Sequence, residues 1–342
     1  MTVTGFFGNI ESALQGFQID PASLVDTAEF IAQVEGELKQ QVSSQIELVE
    51  GVGRITLEGG GKRLRPALVF LAATATGKPF QIDRAIKLGT AMELIHMATL
   101  IHDDVIDDAT LRRGKPTAFS QYGITPSILG GDVLLAKAMQ ILAEDGDLNI
   151  IRTVSQAVVE LAEGEVEEIA LRGQLDLSID SHLRVLRMKT ASFIECCCRV
   201  GALLADAPTN QLHALCQYGH HLGMAFQIVD DVLDFRGEPS TTGKPRATDF
   251  REGQATLPLL YLLPELNADE QQFIGTKFGN GSTDAEIEQI ITWMEERNAL
   301  AQADQDAREH ASAARQSLKL LPVTDQKILL SAVAQGVTNR KA

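Results

Sequence analysis

"LIHDDVIDDATLRRG", residues 100–114, sets four aspartates, Asp103, Asp104, Asp107 and Asp108, inside an apolar run and follows them with Arg112 and Arg113. The preceding stretch, "DRAIKLGTAMELIHMAT", keeps an apolar period of about 3.6 residues, which predicts an amphipathic helix running into the aspartates. On that helix Asp103 and Asp107, four residues apart, project from one face. Asp104 and Asp108 form the neighbouring pair, and His96 lies two turns earlier on nearly the same stripe. Like charges at this spacing cost a helix roughly 0.2–0.5 kcal/mol per pair, so something must compensate.

The pattern recurs. "FQIVDDVLDF", residues 226–235, places Asp230, Asp231 and Asp234 in a second apolar helical run. One D-D-x-x-D is weak evidence, because acidic pairs on solvated helix faces are common. Two copies embedded in hydrophobic sequence predict carboxylate-lined helices facing each other across a cavity, neutralised by divalent cations. Hard oxygen ligands suit Mg²⁺, which binds through one or two carboxylates plus substrate phosphates. No twelve-residue loop of alternating ligands argues for calcium.

Cations that could meet an anion alternate with these clusters. "GGGKRLRP", residues 59–66, places Lys62, Arg63 and Arg65 after three glycines, with Pro66 suited to a helix start. The spacing is not that of a Walker A loop. Lys189 opens "KTASF", and Lys244 sits in "TTGKPRATD". A diphosphate held by Mg²⁺ on one side and by Lys or Arg on the other accounts for both signs of charge.

Around these motifs, helical periodicity continues through "IIRTVSQAVVELAEGEVEEIA", "HLRVLRMKTASFIECCCRVGALLA" and "QLHALCQYGHHLGMAFQIVDDVLDF". No β-branched runs flank an Asn-Gly or Asp-Gly turn, so no hairpin is expected. The 342 residues, 44% of them hydrophobic, suffice for a large core. They are read as one all-helical domain over 1–342, with 1–25 a leading segment. A net charge of −16 disfavours nucleic acid as a partner.

No run of 18 apolar residues is present, so no transmembrane segment is expected. The N-terminal stretch has neither the positive nor the apolar region of a secretory signal, its first basic residue being Lys39, and the expected location is cytoplasmic. Cys196, Cys197 and Cys198 are consecutive and point about 100° apart on a helix, so with Cys216 they read as small buried hydrophobes. His220 and His221 lack zinc-site spacing and read as helix surface or satisfied core.

Taken in order, "GGGKRLRP", "HDDVIDDATLRRG", "GDVLLAKA", "EGE", "KTASF", "GMAFQIVDDVLDF" and "GKPRATDFREGQATLPLL" resemble the trans-type isoprenyl (polyprenyl) diphosphate synthases from about residue 50 to the C-terminus. The resemblance implies an all-α fold, a single large helical bundle around a deep central cavity, usually homodimeric. It implies a prenyltransferase that condenses isopentenyl diphosphate with an allylic diphosphate, 1'-4 and trans. Carried over to this sequence, Asp103, Asp107 and Asp230 are the principal ligands of Mg²⁺, three ions per active site, with Asp104, Asp231 and Asp234 in close support. Arg112, Lys189, Thr190, Gln227 and Lys244 hold the allylic diphosphate, and Lys62, Arg65, His96 and Arg113 hold isopentenyl diphosphate. Lys189 and Lys244 count with the three principal aspartates as catalytic.

One departure stands out: Gln254 occupies a position where the family commonly has Lys, removing a cation near the second cluster. In the family, bulky side chains four and five residues before the first aspartate close the product tunnel. Here those residues are Thr99 and Ala98, so the expected product is longer than farnesyl and long-chain. The alternatives are a geranylgeranyl or farnesyl diphosphate synthase, a class I terpene cyclase, which would leave Lys62, Arg65 and Arg113 without a purpose, and a non-catalytic subunit of a heteromeric synthase.

Overall fold

The computed structural model describes residues 19–237 and 245–339. Its helices, in chain order, are α1 (Pro21–Val42), α2 (Glu47–Glu58), α3 (Leu64–Ala75) and α4 (Ile82–Ile106). A two-stranded hairpin follows, β1 (Leu111–Arg112) and β2 (Lys115–Pro116). Then come α5 (Ala118–Tyr122), α6 (Ile124–Asp145), α7 (Leu148–Leu171), α8 (Ile179–Leu186), a π-helical turn (Arg187–Ala191) and α9 (Ser192–Leu204). The chain continues through α10 (Thr209–Arg236), α11 (Thr248–Arg251), α12 (Leu257–Leu262), α13 (Ala268–Lys277), α14 (Asp284–Glu296), α15 (Ala299–Ser317) and α16 (Asp325–Val337).

Backbone contacts group the chain into two compact units. The first runs to Gln156 and includes Cys196–Cys216 and Leu318–Ala332. Its centre is α4, which packs against α1, α3 and α6. Leu88, Met92, Leu94, Ile95, Met97, Ala98 and Ile101 are all buried, so α4 is apolar around most of its circumference, as a core helix must be. The predicted helix over this stretch is therefore found, but it ends sooner than its aspartates. Ile106 is its last residue, Asp107 is the C-cap, and Asp108 turns left-handed at φ 47°. A short polar side chain tolerates that conformation better than most, and it takes Asp108 off the helical stripe.

The hairpin was not expected from the sequence. Arg113 (φ 53°) and Gly114 (φ 73°) form a two-residue turn with both central residues at positive φ, the geometry that matches strand twist. Strands of two residues carry no periodicity, so the sequence had no signal to offer. A second difference concerns α6, which meets the length and hydropathy of a membrane span although no such segment was expected. Inside its unit this helix packs against α2 and α4, with Gly131 seated on the His102 ring.

The second unit comprises Ala157–Glu195, Gln217–Ser317 and the chain from Val333. Here α12, α14 and α15 pack together. The buried alanines Ala303, Ala307, Ala311 and Ala314 recur at helical spacing and give α15 its core face. Asn267 with Glu270 and Thr283 with Glu286 form capping boxes that start α13 and α14. All four cysteines are buried, as expected for small apolar side chains.

Candidate active site

In the first unit the glycines that end α2 lead into Arg63, whose left-handed backbone (φ 51°) turns its side chain inward. Its guanidinium donates to Glu93 Oε1 at 3.0 Å and to the Leu57 carbonyl at 3.1 Å, and lies 3.4 Å from Glu35. Both Arg63 and Glu93 side chains are only 4% exposed. One of the three basic residues in "GGGKRLRP" is thus consumed in a buried ion pair. Lys62 stays exposed and Arg65 half-buried at the start of α3.

Arg113 and Lys115, brought round by the hairpin, donate to the carbonyls of Gly60 and Glu58 at the end of α2. This positions a cluster of guanidinium groups around His96. Burial, followed by the charges of Arg65, Arg113, Arg112 and Arg63, holds the His96 imidazole well below its ordinary pKa. A neutral imidazole among four guanidiniums is a place for an anion that needs both charge and a hydrogen bond.

Asp104 is buried and accepts from Arg112 Nε at 2.8 Å. Asp103 and Asp107 keep the one-turn relation, since the Asp107 N–H donates to the Asp103 carbonyl at 2.9 Å. One turn towards the start of α4, Ala98 is buried and Thr99 half-buried, with the Thr99 hydroxyl bonded back to the His96 carbonyl at 2.9 Å. A cavity of about 440 Å³ in this unit is lined by Glu35, Lys39, Arg54 and Arg63, with none of the aspartates on its wall.

The second unit builds its cluster around the π-helical turn. The extra residue in that turn presents Lys189 and Thr190 together. Lys189 pairs with Glu165 at 3.1 Å and also with Glu168. Thr190 donates to Gln227 Oε1 at 2.8 Å, and Gln227 Nε2 reaches Asp231 Oδ1 at 3.4 Å. Asp231 Oδ2 meets His182 Nε2 at 2.9 Å, so both oxygens of this buried carboxylate are engaged. Asp234 accepts from the backbone N–H groups of Thr248 and Asp249, each at 3.1 Å, at the start of α11.

Carboxylates crowd this unit. Burial first, then Asp234, Asp231, Glu168 and Glu252, push the Asp249 carboxyl well above the usual range. Glu168 is raised by burial in spite of Lys189. Carboxylate oxygens are the donors a hard divalent cation takes, although among the described residues no three acid, histidine or cysteine side chains already converge as a metal site. The predicted Lys244 lies outside the described residues. Glu165, Glu168, His182, Asp249 and the Arg63–Glu93 pair were not singled out from the sequence. Glu165 lay in the recognised "EGE", and Glu168 follows it by one helical turn. Nothing local marks His182, whose partner is 49 positions away.

The polyprenyl synthetase family model matches residues 46–294. The chain belongs to the polyprenyl synthetase family. It is 33% identical over 314 residues to the octaprenyl diphosphate synthase of Escherichia coli K12, covering 92% of this chain and 97% of that protein. Among solved structures, the decaprenyl diphosphate synthase of Rhodobacter capsulatus superposes with a TM-score of 0.87 at 32% identity, over 96% of this chain and 98% of that one. The polyprenyl synthase of Caulobacter crescentus, solved with calcium and isoprenyl diphosphate, gives a TM-score of 0.84 at 31% identity, over 100% and 98% of the two chains. The polyprenyl synthetase chain described here thus shares their all-helical isoprenoid synthase fold.

Proposed function

We propose that this chain is a long-chain trans-polyprenyl diphosphate synthase that joins isopentenyl diphosphate to an allylic diphosphate in the presence of Mg²⁺. The observation that carries the reading is the shared construction of the two aspartate clusters. Each ties some of its carboxylates to protein donors, Asp104 to Arg112 in one, Asp231 and Asp234 to His182, Gln227 and backbone N–H groups in the other. Each also has cations close by.

In this reading Asp103, Asp107 and Asp230 are the principal Mg²⁺ ligands, Asp104, Asp231 and Asp234 support them, and three ions serve one site. Mg²⁺ bound there supplies Lewis-acid stabilisation of the departing diphosphate. Arg112, Lys189, Thr190, Gln227 and Lys244 hold the allylic diphosphate. Lys62, Arg65 and Arg113 hold isopentenyl diphosphate by charge, and the neutral His96 by a hydrogen bond. The allylic C–O bond breaks and its electron pair leaves with the diphosphate, the double bond of the second substrate supplies the electrons of the new C–C bond, and the resulting cationic adduct loses a proton to the released diphosphate to restore a double bond. Holding both substrates in place does most of the remaining work.

Small side chains at Ala98 and Thr99, together with likeness to synthases named for octaprenyl and decaprenyl products, support a long chain of the quinone side-chain type. The same family likeness supports a homodimer, and the exposed apolar side chains Ile124, Ile128 and Leu129 of α6 offer a face for it. A cytoplasmic location is part of the proposal.

The test is incorporation of radiolabelled isopentenyl diphosphate with dimethylallyl, geranyl, farnesyl and geranylgeranyl diphosphate offered in turn. Dephosphorylated products longer than fifteen carbons are expected. Absence of incorporation from folded protein with every primer would favour a cyclase or a subunit needing a partner. In the same assay Thr99→Phe is expected to shorten the product, and an unchanged length would place the tunnel elsewhere.

A further inference from the structure

A cavity of about 80 Å³ within the second unit is lined by the acids Glu168, Asp231 and Asp249, by Lys189, and by Arg172 and Gln254. The acids outnumber the cations, which is a poor setting for a diphosphate unless positive charge can be brought to its rim. The Lys189 ammonium is already shared between Glu165 and Glu168. Gln254, at the position that lacks the family's cation, offers an amide without charge. The backbone brings a guanidinium to that place by another route. Gly173 N–H donates to the Gly253 carbonyl at 2.7 Å, and a Cβ on Gly253 would lie 3.4 Å from Gly173 N, so the two segments touch through glycine. The residues flanking this contact, Arg172 and Gln254, both line the cavity, with Arg172 exposed and Gln254 half-buried.

We propose that Arg172 binds the substrate diphosphate, supplying from the neighbouring segment the charge that position 254 lacks. A guanidinium can reach two phosphate oxygens in parallel, and on an exposed side chain at the cavity wall it can do so without first being buried. The inference rests on reading this cavity as the allylic diphosphate site, and it names a residue that the sequence motifs do not contain.

The experiment compares the full chain with Arg172→Gln, Arg172→Lys and the double variant Arg172→Gln/Gln254→Lys. Two quantities are read: the calorimetric Kd of inorganic diphosphate with Mg²⁺, and steady-state constants for farnesyl and isopentenyl diphosphates. Arg172→Gln is expected to raise the Kd and the farnesyl diphosphate KM roughly tenfold, the loss of one charge-assisted contact. The isopentenyl diphosphate KM stays put. Arg172→Lys retains most of the binding. Gln254→Lys in the Arg172→Gln background restores it, because the charge returns to the same rim. Binding by Arg172→Gln within twofold of the starting protein overturns the proposal, and so does a loss that Gln254→Lys leaves unrepaired. A chain that binds diphosphate through Arg172 but never incorporates isopentenyl diphosphate sinks the synthase reading and leaves this one standing.

Discussion

Asp103 and Asp230 carry the same side chain as Asp104 and Asp231 beside them. Asp104 is buried on Arg112, and Asp231 on His182 and Gln227. Asp103→Asn and Asp230→Asn are each expected to lower turnover by at least a hundredfold, with an unchanged circular dichroism spectrum. Near-normal rates in both would defeat the metal-ligand assignment. A different residue-scale effect follows from three histidines. His221 Nδ1 lies 3.0 Å from His310 Nδ1, with the His220 ring next to His221. Burial, then His221 and His220, pushes His310 down to about 4, and burial lowers His220 and His221 as well. The unfolded chain takes up protons below about pH 6.5 that folded His310 refuses until about 4. Stability present above pH 6.5 is therefore lost as the pH falls through that window, on the order of 1 kcal/mol after allowing for partial exposure. The melting temperature of His310→Asn should fall less than that of the unaltered chain between pH 7 and pH 5. Parallel curves would show that the pair does not report on pH. The sequence marked His220 and His221 and dismissed them, and it had no means of bringing in His310 from α15.

At the scale of elements, the decisive feature is the π-helical turn between α8 and α9. Periodicity predicted one continuous helix there, and the hydrogen-bonding shift of a single residue is invisible to a 3.6-residue pattern. That shift presents Lys189 to Glu165 and Glu168, and Thr190 to Gln227. Gly223 of α10 is what lets the turn sit so close, since a Cβ there would collide with the backbone and side chain of Ala191. Gly223→Ala is expected to destabilise the fold by about 1–3 kcal/mol, the range for overpacking a tight contact, and to weaken diphosphate binding through Lys189 and Thr190. Urea unfolding and diphosphate titration check both halves, and a substitution neutral in each would mean that α10 and the turn can separate cheaply. The hairpin shows the same limit of pattern reading. Its two-residue strands have no alternation, yet it delivers Arg113 and Lys115 to the carbonyls at the end of α2.

For the whole molecule, a net charge of −16 coexists with a local station of positive charge around His96 and with a lysine, Lys189, set among the acids of the second unit. A ligand that bridges both signs should therefore stabilise the folded chain. Inorganic diphosphate with Mg²⁺, at one hundred times its Kd, is expected to add about 2.7 kcal/mol and raise the melting temperature by several degrees. Chelation of the metal should remove most of the gain, and equal melting with and without Mg²⁺ would separate the anion site from any metal. The sequence by itself determined the all-α class, the position of both aspartate clusters and the family, because helical period and motif order are local and survive any arrangement of the helices. The tertiary structure alone decided which donors hold Asp104, Asp231 and Asp234, that Arg63 is spent on Glu93, that the chain next to Arg172 bonds the chain next to Gln254 through Gly173 and Gly253, and that a π turn presents Lys189. Those outcomes depend on partners from eight to 49 positions apart or further, and on left-handed or π-helical backbone. The local cost of such backbone is about 1–2 kcal/mol per residue, small enough for packing to override and too small for a sequence pattern to record.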